Sequence, residues 1–378
     1  MNKPTIPGVT LKPKEERRII RGHAWVYRNE VAAMPELGDG DVVDVFASNR
    51  RFVGRGFYQQ AGGIAVRILT NHQNDIDGVF FHETLTNALC LREKLFPGSR
   101  VYRWMHGESD MLPGLVVDRY DTVAVAHSDC AFYQRCGEML LETLLSFAGV
   151  ESVLFRCQGG KQWAGKQAES LEIRINDIRV ALSFDDSQKT GLFLDQRCNW
   201  PLVRAFASGA AMLDGYCYHG LWGLHAAQAG AATVIGVDTS ADAINHARTN
   251  AALNGAAQCA FEQGDVETAL QSGDRWDVIV LDPPAFAKNR SQSRKAAARY
   301  EGINGLAMNA LNPGGVLVSC SCSHFISNEA FLEILKRAAR RAGKQAQLIE
   351  MRGAAPDHPV LLSMPETAYL KCAVLCVG

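Results

Sequence analysis

The chain has 378 residues, 47% of them hydrophobic and 21% charged, the make-up of an ordinary globular protein with room for two or three domains. No apolar run approaches the ~20 residues of a membrane span, and the N-terminus MNKPTIPGVT lacks the apolar core of a signal peptide. A formal net charge of -1 neither demands nor forbids a polyanionic partner, because charge can be segregated along the chain.

Segregation starts at the N-terminus. Lys12, Lys14, Arg17, Arg18, Arg21 and Arg28 stand against only Glu15 and Glu16, and a helix here would put Lys14, Arg17, Arg18 and Arg21 on one face. Alternating runs follow, DVVDVFA and GGIAVRILT, separated by glycine-rich turns, and they predict a small β domain ending near Thr70. A basic β module carrying Trp25 and Tyr27 suits RNA, while a merely solvated charged face accounts for the same residues equally well. Between Asp75 and about Phe184, FHETLTNALCLREKLF and FYQRCGEMLLETLLSFAG have helical periodicity and flank strand-like runs, predicting an α+β middle domain. Gly159-Gly160-Lys161 and Gly165-Lys166 fit no Walker spacing, and that segment is read as a loop.

From Ala211 onward strands and helices alternate regularly and finish in two strands, QAQLIEMR and TAYLKCAVLCV, with no helix between them. The pattern predicts a doubly wound parallel sheet closed by an antiparallel hairpin. The first strand runs into Asp214-Gly-Tyr216-Cys-Tyr-His-Gly220, a turn into a helix in which glycine permits close approach of a ligand. Asp238 ends the next strand, 24 residues after Asp214, where a carboxylate can bind ribose hydroxyls. Asp265 ends the third and can meet an adenine amino group, or it can simply cap the helix that follows. Three acidic strand ends suit S-adenosylmethionine, which has no phosphate, better than NAD, whose pyrophosphate needs the fuller Gly-x-Gly-x-x-Gly turn.

The acceptor side centres on WDVIVLDPPAF (Trp276–Phe286) and NPGGVLVSCSCSH (Asn312–His324), joined by a basic helical span from about Asn289 to Leu311. Asp282 and Cys322 close two strand-like runs, so both would reach the crevice beyond the carboxyl ends of the strands. Prolines after Asp282 fix a non-helical elbow with free carbonyls. Two chemistries use such an elbow. An exocyclic amine would be held by Asp282 and a proline carbonyl. A pyrimidine carbon would instead need a thiolate to add to the ring first, with Asp282 offsetting charge on the ring nitrogen. A thiol pKa of ~8.5 must fall for that role, and the sequence names no group that lowers it. Cys320 and Cys322 alternate with serines and share a strand face; Cys322, nearer the carboxyl end, is the better nucleophile, and Cys320 the better packing residue. The eleven cysteines show no disulfide pattern and read as reduced thiols of a cytoplasmic protein. With neither Cys-x-x-Cys nor His-Glu-x-x-His, no metal is expected.

RRIIRGHAWVYRNEV, GRGFYQQAGGIAVRIL, HGESDMLPGLVVDRY, KTGLFLDQR (Lys189–Arg197), VIGVDTSADAINHARTNAALN, LDPPAF and SCS together resemble, over nearly the full length, the bacterial large-subunit rRNA cytosine-C5 methyltransferases. That resemblance implies an α/β, Rossmann-like class I methyltransferase domain (185–378) behind an N-terminal β-rich PUA-like RNA-binding domain (1–72) and a middle α+β domain (73–184). It implies S-adenosylmethionine as cofactor, surrounded by Phe193, Asp195, Asp238 and Asp265, with Cys322 as nucleophile and Asp282 orienting the base. The substrate it implies is 23S rRNA, free or in a large-subunit precursor. The basic residues Arg17, Arg18 and Arg21, and Lys288, Arg290, Arg294, Lys295 and Arg299, would hold its backbone, while a solvated helix face accounts for the second cluster equally well. A homodimer is compatible with the sequence. The chain departs from the family in two places. Gly220-Leu221-Trp222-Gly223 stands where relatives have adjacent glycines, and Cys320 is an extra thiol. The rival readings are an amine or ring-nitrogen methyltransferase, which leaves Cys322 structural, and an RNA-binding assembly factor without turnover, which only the Leu221-Trp222 departure favours.

Overall fold

The computed structural model describes residues 6–184, 190–287 and 289–378. They form two compact units, one from the chain up to Glu169 with Pro356–Thr367, the other from Leu192–Ala355, Ala368–Gly378 and the hairpin of Ser170–Ile175 and Ile178–Ser183. The first unit opens with a six-stranded sheet whose last strand, Ile64–Thr70, ends where the alternation of the sequence stops. Its strands Val42–Phe46 and Phe52–Tyr58 are locked by Asp44 and Arg55, which face each other in register 2.7 Å apart and are both buried. A second, five-stranded sheet follows, backed by the helix Gly78–Leu95 and by Ala131–Arg135 and Gly137–Leu145, with Phe81, Trp104, Phe132 and Tyr133 in the core between them. The expected single helix over Phe132–Gly149 is thus broken, at Cys136. The Gly-Lys segment read as a loop is a strand, Gly160–Gly165, paired antiparallel with Ser152–Cys157. Glycines at each end suggested a turn, but backbone pairing needs no side chain, and this edge strand is mostly exposed.

The second unit carries the regular alternation, and its elements are numbered here: β1 (Ala211–Gly215), α1 (Leu221–Gln228), β2 (Thr233–Asp238), α2 (Ala241–Leu253), β3 (Cys259–Gln263), α3 (Val266–Leu270), β4 (Trp276–Leu281), α4 (Ser293–Ala310), β5 (Leu311–Ser321), α5 (Asn328–Arg341), β6 (Ala346–Arg352) and β7 (Lys371–Val377). The sheet order is β3-β2-β1-β4-β5-β7-β6. The first five strands are parallel, and β7 runs antiparallel to both β5 and β6. Continuous apolar runs such as Val278–Leu281 and Val316–Val318 are buried because helices cover both faces of a parallel sheet. Strand order reverses at β1 and β4, so the crevice lies beyond their carboxyl ends. Among the described residues no helix is long and apolar enough to cross a membrane.

Phe261 of β3 supports the turn that enters this crevice. A Cβ on Gly236 would lie 2.3 Å from its ring, and one on Gly220 2.6 Å. Gly236→Ala overpacks this contact and is expected to destabilise the protein by ~1–3 kcal/mol, measured by urea unfolding.

Candidate active site

Beyond the end of β1 the chain turns through Tyr216, Tyr218 and Gly220, all at positive φ (64°, 48° and 76°). Two tyrosines in a region that bulky residues avoid store strain of order 1–3 kcal/mol each. The turn is held by backbone bonds from Tyr216 and Cys217 to the Val237 carbonyl and by Asp238, whose two carboxylate oxygens accept from the Tyr218 and Ser240 amides. Phe193 is exposed and its ring lies 5.0 Å from that of Tyr218, which in turn stacks on His219 at 4.1 Å. An exposed aromatic wall, a backbone turn bent close to the crevice, and a strand-end carboxylate form a cradle for an adenosyl group. Among the described residues of this turn there is no cluster of cations for a pyrophosphate, and the donor set fits S-adenosylmethionine.

Two of the acids expected to line the cofactor are placed otherwise. Asp214 is fully buried; one oxygen accepts from the Gly223 amide at 2.9 Å, the other has no hydrogen-bond partner, and the group shapes the turn from within. Burial, with the negative charges of Asp282 and Asp238 adding to it, pushes its carboxyl up to about 8. Asp265 is exposed and caps α3, accepting from the Thr268 amide at 2.9 Å. It fulfils the capping role, which its position before a helix already allowed.

On the acceptor side the structure brings the expected residues together and adds others. Asp282 leaves β4 with its amide bonded to the Gly215 carbonyl. Its carboxylate accepts from Gln196 Nε2 (3.0 and 3.1 Å to the two oxygens) and from the Trp222 indole N–H (3.2 Å). Gln196 is fixed in turn by the Asn199 amide, which donates to its Oε1 at 2.7 Å. Burial pushes the Asp282 carboxyl up to about 6; the Trp222 and Gln196 donors hold it down and the charge of Asp195 holds it up. Asp195 accepts from the Tyr369 hydroxyl at 2.6 Å. The Cys322 thiol lies 3.9 Å from the Pro283 carbonyl, on the elbow that follows Asp282, and is partly exposed. Cys320, by contrast, is fully buried opposite Cys372 of β7, and burial holds its thiol well above the ordinary value. Ser321 and Ser323 are also buried, and the hydroxyl of Ser323 meets that of Tyr300 from α4 at 3.2 Å.

Trp222 therefore binds the acceptor-side carboxylate. Its indole could not be assigned from pattern alone, because the partner is 60 residues away. Gln196, Asn199, Tyr369 and Lys371 were not singled out from the sequence. Gln196 stood beside Asp195 in a quoted motif, whereas Lys371 carries no local signal.

The expected RNA contacts divide. Arg17 and Arg21 are exposed and, with Lys14 and Arg18, line an open cleft of about 450 Å³, although the helix itself spans only Glu16–Ile20. Arg18 is tied down, paired with Glu30 at 2.6 Å and lying 4.6 Å over the Tyr27 ring. Lys288 lies outside the described residues, as does the side chain of Arg290. Arg299 sits 4.2 Å over the ring of Phe286, beside the elbow.

Comparison with known proteins matches residues 9–71 to a PUA-like domain and residues 150–371 to the S-adenosylmethionine-dependent methyltransferases. This chain is a member of the S-adenosylmethionine-dependent methyltransferase family. The methyltransferase is 36% identical to "Ribosomal RNA large subunit methyltransferase I" of Shewanella denitrificans, over 96% of this chain and 97% of that one. It is 32% identical to the protein of the same name from Pseudoalteromonas atlantica, over 97% and 99%. Among solved structures, a chain from Streptococcus mutans described as a SAM-dependent methyltransferase covers 98% of it at 16% identity with a TM-score of 0.86, and is itself covered completely, at 100%. SMU.776, described as a methyltransferase complexed with SAH, gives 0.87 at 17% identity, with 98% and 100% covered. The methyltransferase uses S-adenosylmethionine, and its fold is the expected PUA-like and Rossmann-like combination.

Trp222→Phe removes one donor from Asp282. The Asp282 carboxyl, at about 6, is expected to move upward and kcat/KM to fall about tenfold, the weight of a hydrogen bond to a charged group. A pH–rate series checks both. Asp214 has a separate signature. Its folded pKa lies far above the ordinary 3.8, so the folded state holds the proton more tightly, and stability falls as pH rises from about 4 to about 8. Asp214→Asn keeps an acceptor for the Gly223 amide and is expected to flatten that decline in thermal unfolding across the range.

Proposed function

We propose that this methyltransferase transfers a methyl group to carbon 5 of a cytosine in 23S ribosomal RNA, with Cys322 as the nucleophile and Asp282 orienting the base. One observation carries the reading. The Cys322 thiol and the Asp282 carboxylate flank a single proline elbow, the thiol 3.9 Å from the Pro283 carbonyl. The names of the relatives support a large-subunit rRNA substrate, and the PUA-like domain with its Lys14–Arg21 cleft supports an RNA held by its phosphates. The eleven free thiols fit work in the cytoplasm.

S-adenosylmethionine, when bound, supplies an electrophilic methyl group. The rest falls to the chain. A cytosine has to leave its stack to enter the crevice, at a cost of a few kcal/mol. Cys322 adds as thiolate to carbon 6, which makes carbon 5 nucleophilic, and Asp282 faces the ring nitrogen and exocyclic amine. With a carboxyl near 6, Asp282 can hold or release a proton as charge builds on the ring. Once carbon 5 has been methylated its proton passes to water, the C–H electron pair re-forms the carbon 5–carbon 6 double bond, and the sulfur–carbon bond breaks to release the free thiolate. Asp238 and the Tyr216–Gly220 turn position the cofactor half, and the Trp222 and Gln196 donors keep the carboxylate pointed at the base.

RNA carrying 5-fluorocytidine cannot lose a proton from carbon 5 and should trap the enzyme covalently. A denaturant-resistant adduct is expected with the wild type and none with Cys322→Ala. Methylation without an adduct would point instead to transfer onto an amine or ring nitrogen.

A further inference from the structure

The first residue of β7, Lys371, is 3% exposed. It sits opposite Ser321 in the β5–β7 register, and its Nζ donates to the carbonyls of Ser323 and Tyr369, both at 2.6 Å. Two carbonyls satisfy hydrogen bonds but supply no charge, and among the described residues no carboxylate lies within ion-pair distance of this ammonium. A buried cation without a counter-ion costs several kcal/mol. Burial pushes the amine down to about 8, and the charge that opposes the fall is that of Cys322.

We propose that Lys371 is the positioning residue for the nucleophile: its ammonium, anchored on the carbonyl of Ser323, the residue after Cys322, and on that of Tyr369, is the counter-charge that holds Cys322 as the thiolate. This rests on the reading of Cys322 as nucleophile. Among the described residues, Tyr300, Asp282 and Asp195 bring no positive charge to the thiol. Tyr300, from α4, is a phenol raised by burial, and Cys322 itself raises it further. Asp282, across the elbow, has the wrong sign, as has Asp195 behind Tyr369. His324 lies against the Tyr369 ring at 5.1 Å. The step assisted is an ionisation: the S–H bond breaks, the proton goes to water, and the electron pair stays on sulfur beside the ammonium.

The test is the pH dependence of Cys322 alkylation by iodoacetamide, followed on its own peptide by mass spectrometry in the full-length protein. In the wild type the midpoint should lie below the ~8.5 of an ordinary cysteine. In Lys371→Met it should rise by about one unit, with alkylation at pH 7 roughly tenfold slower, while Lys371→Arg should stay close to the wild type. A wild-type midpoint at or above 8.5 overturns the proposal even if Lys371→Met does not fold; so does an unshifted midpoint in a folded Lys371→Met that still binds S-adenosylmethionine in calorimetry. The two readings separate cleanly. A shifted midpoint with no 5-fluorocytidine adduct keeps the counter-charge and removes the nucleophile, and an adduct with an unshifted midpoint does the reverse.

Discussion

The site depends on one half-buried carboxylate being held still. Asp282 stands at the end of β4 with three hydrogen bonds converging on it from two other segments, a glutamine that is itself fixed by Asn199 and an indole from the first turn of α1. A charge in this setting is expensive, and the donors that reduce the expense also remove its freedom to rotate. Without that grip the carboxyl would be free to turn and would hold its proton more tightly. With it, the group is a fixed acceptor that can still exchange a proton near neutral pH.

The same grip joins the turn after β1 to the end of β4. The helix that starts at Leu221 leaves the strained cofactor turn, and its second residue reaches across to the acceptor carboxylate. Glycine at position 222 could not make this bond. Trp222, which looked like a blemish in this loop, is therefore tied to the Asp282 carboxylate, and the reading of this chain as a binding protein without turnover loses the feature that favoured it.

Much of this was legible in the sequence. The apolar runs of β1, β2, β4 and β5 are long and regular, a parallel sheet buries them on both faces, and their carboxyl ends announce themselves as Asp214, Asp238, Asp282 and Cys322. The separation of Cys320 from Cys322 also followed from strand position. What could not be read was direction in three dimensions. Asp214 and Asp238 look alike in the sequence, yet one oxygen pair is sealed under the turn and the other is at its mouth. Gln196 reaches Asp282 from 86 residues away, and Lys371 meets the Ser323 carbonyl only because β7 is laid beside β5. The strand at Gly160 escaped because its exposed residues carry no periodic apolar signal.

That placement of β7 has a cost during folding. The strand enters an interior slot, with β5 on one side and β6 on the other, and its partner on β5 lies some fifty residues earlier in the chain (Cys320 against Cys372). Until it arrives, β5 exposes an open apolar edge, the kind of surface that recruits a second chain. Thiols lie along both strands at that seam. An intermediate stalled there would be prone to stick to its neighbours and, in an oxidising buffer, to be riveted to them through sulfur, so reductant and dilution are natural companions of any refolding of this chain.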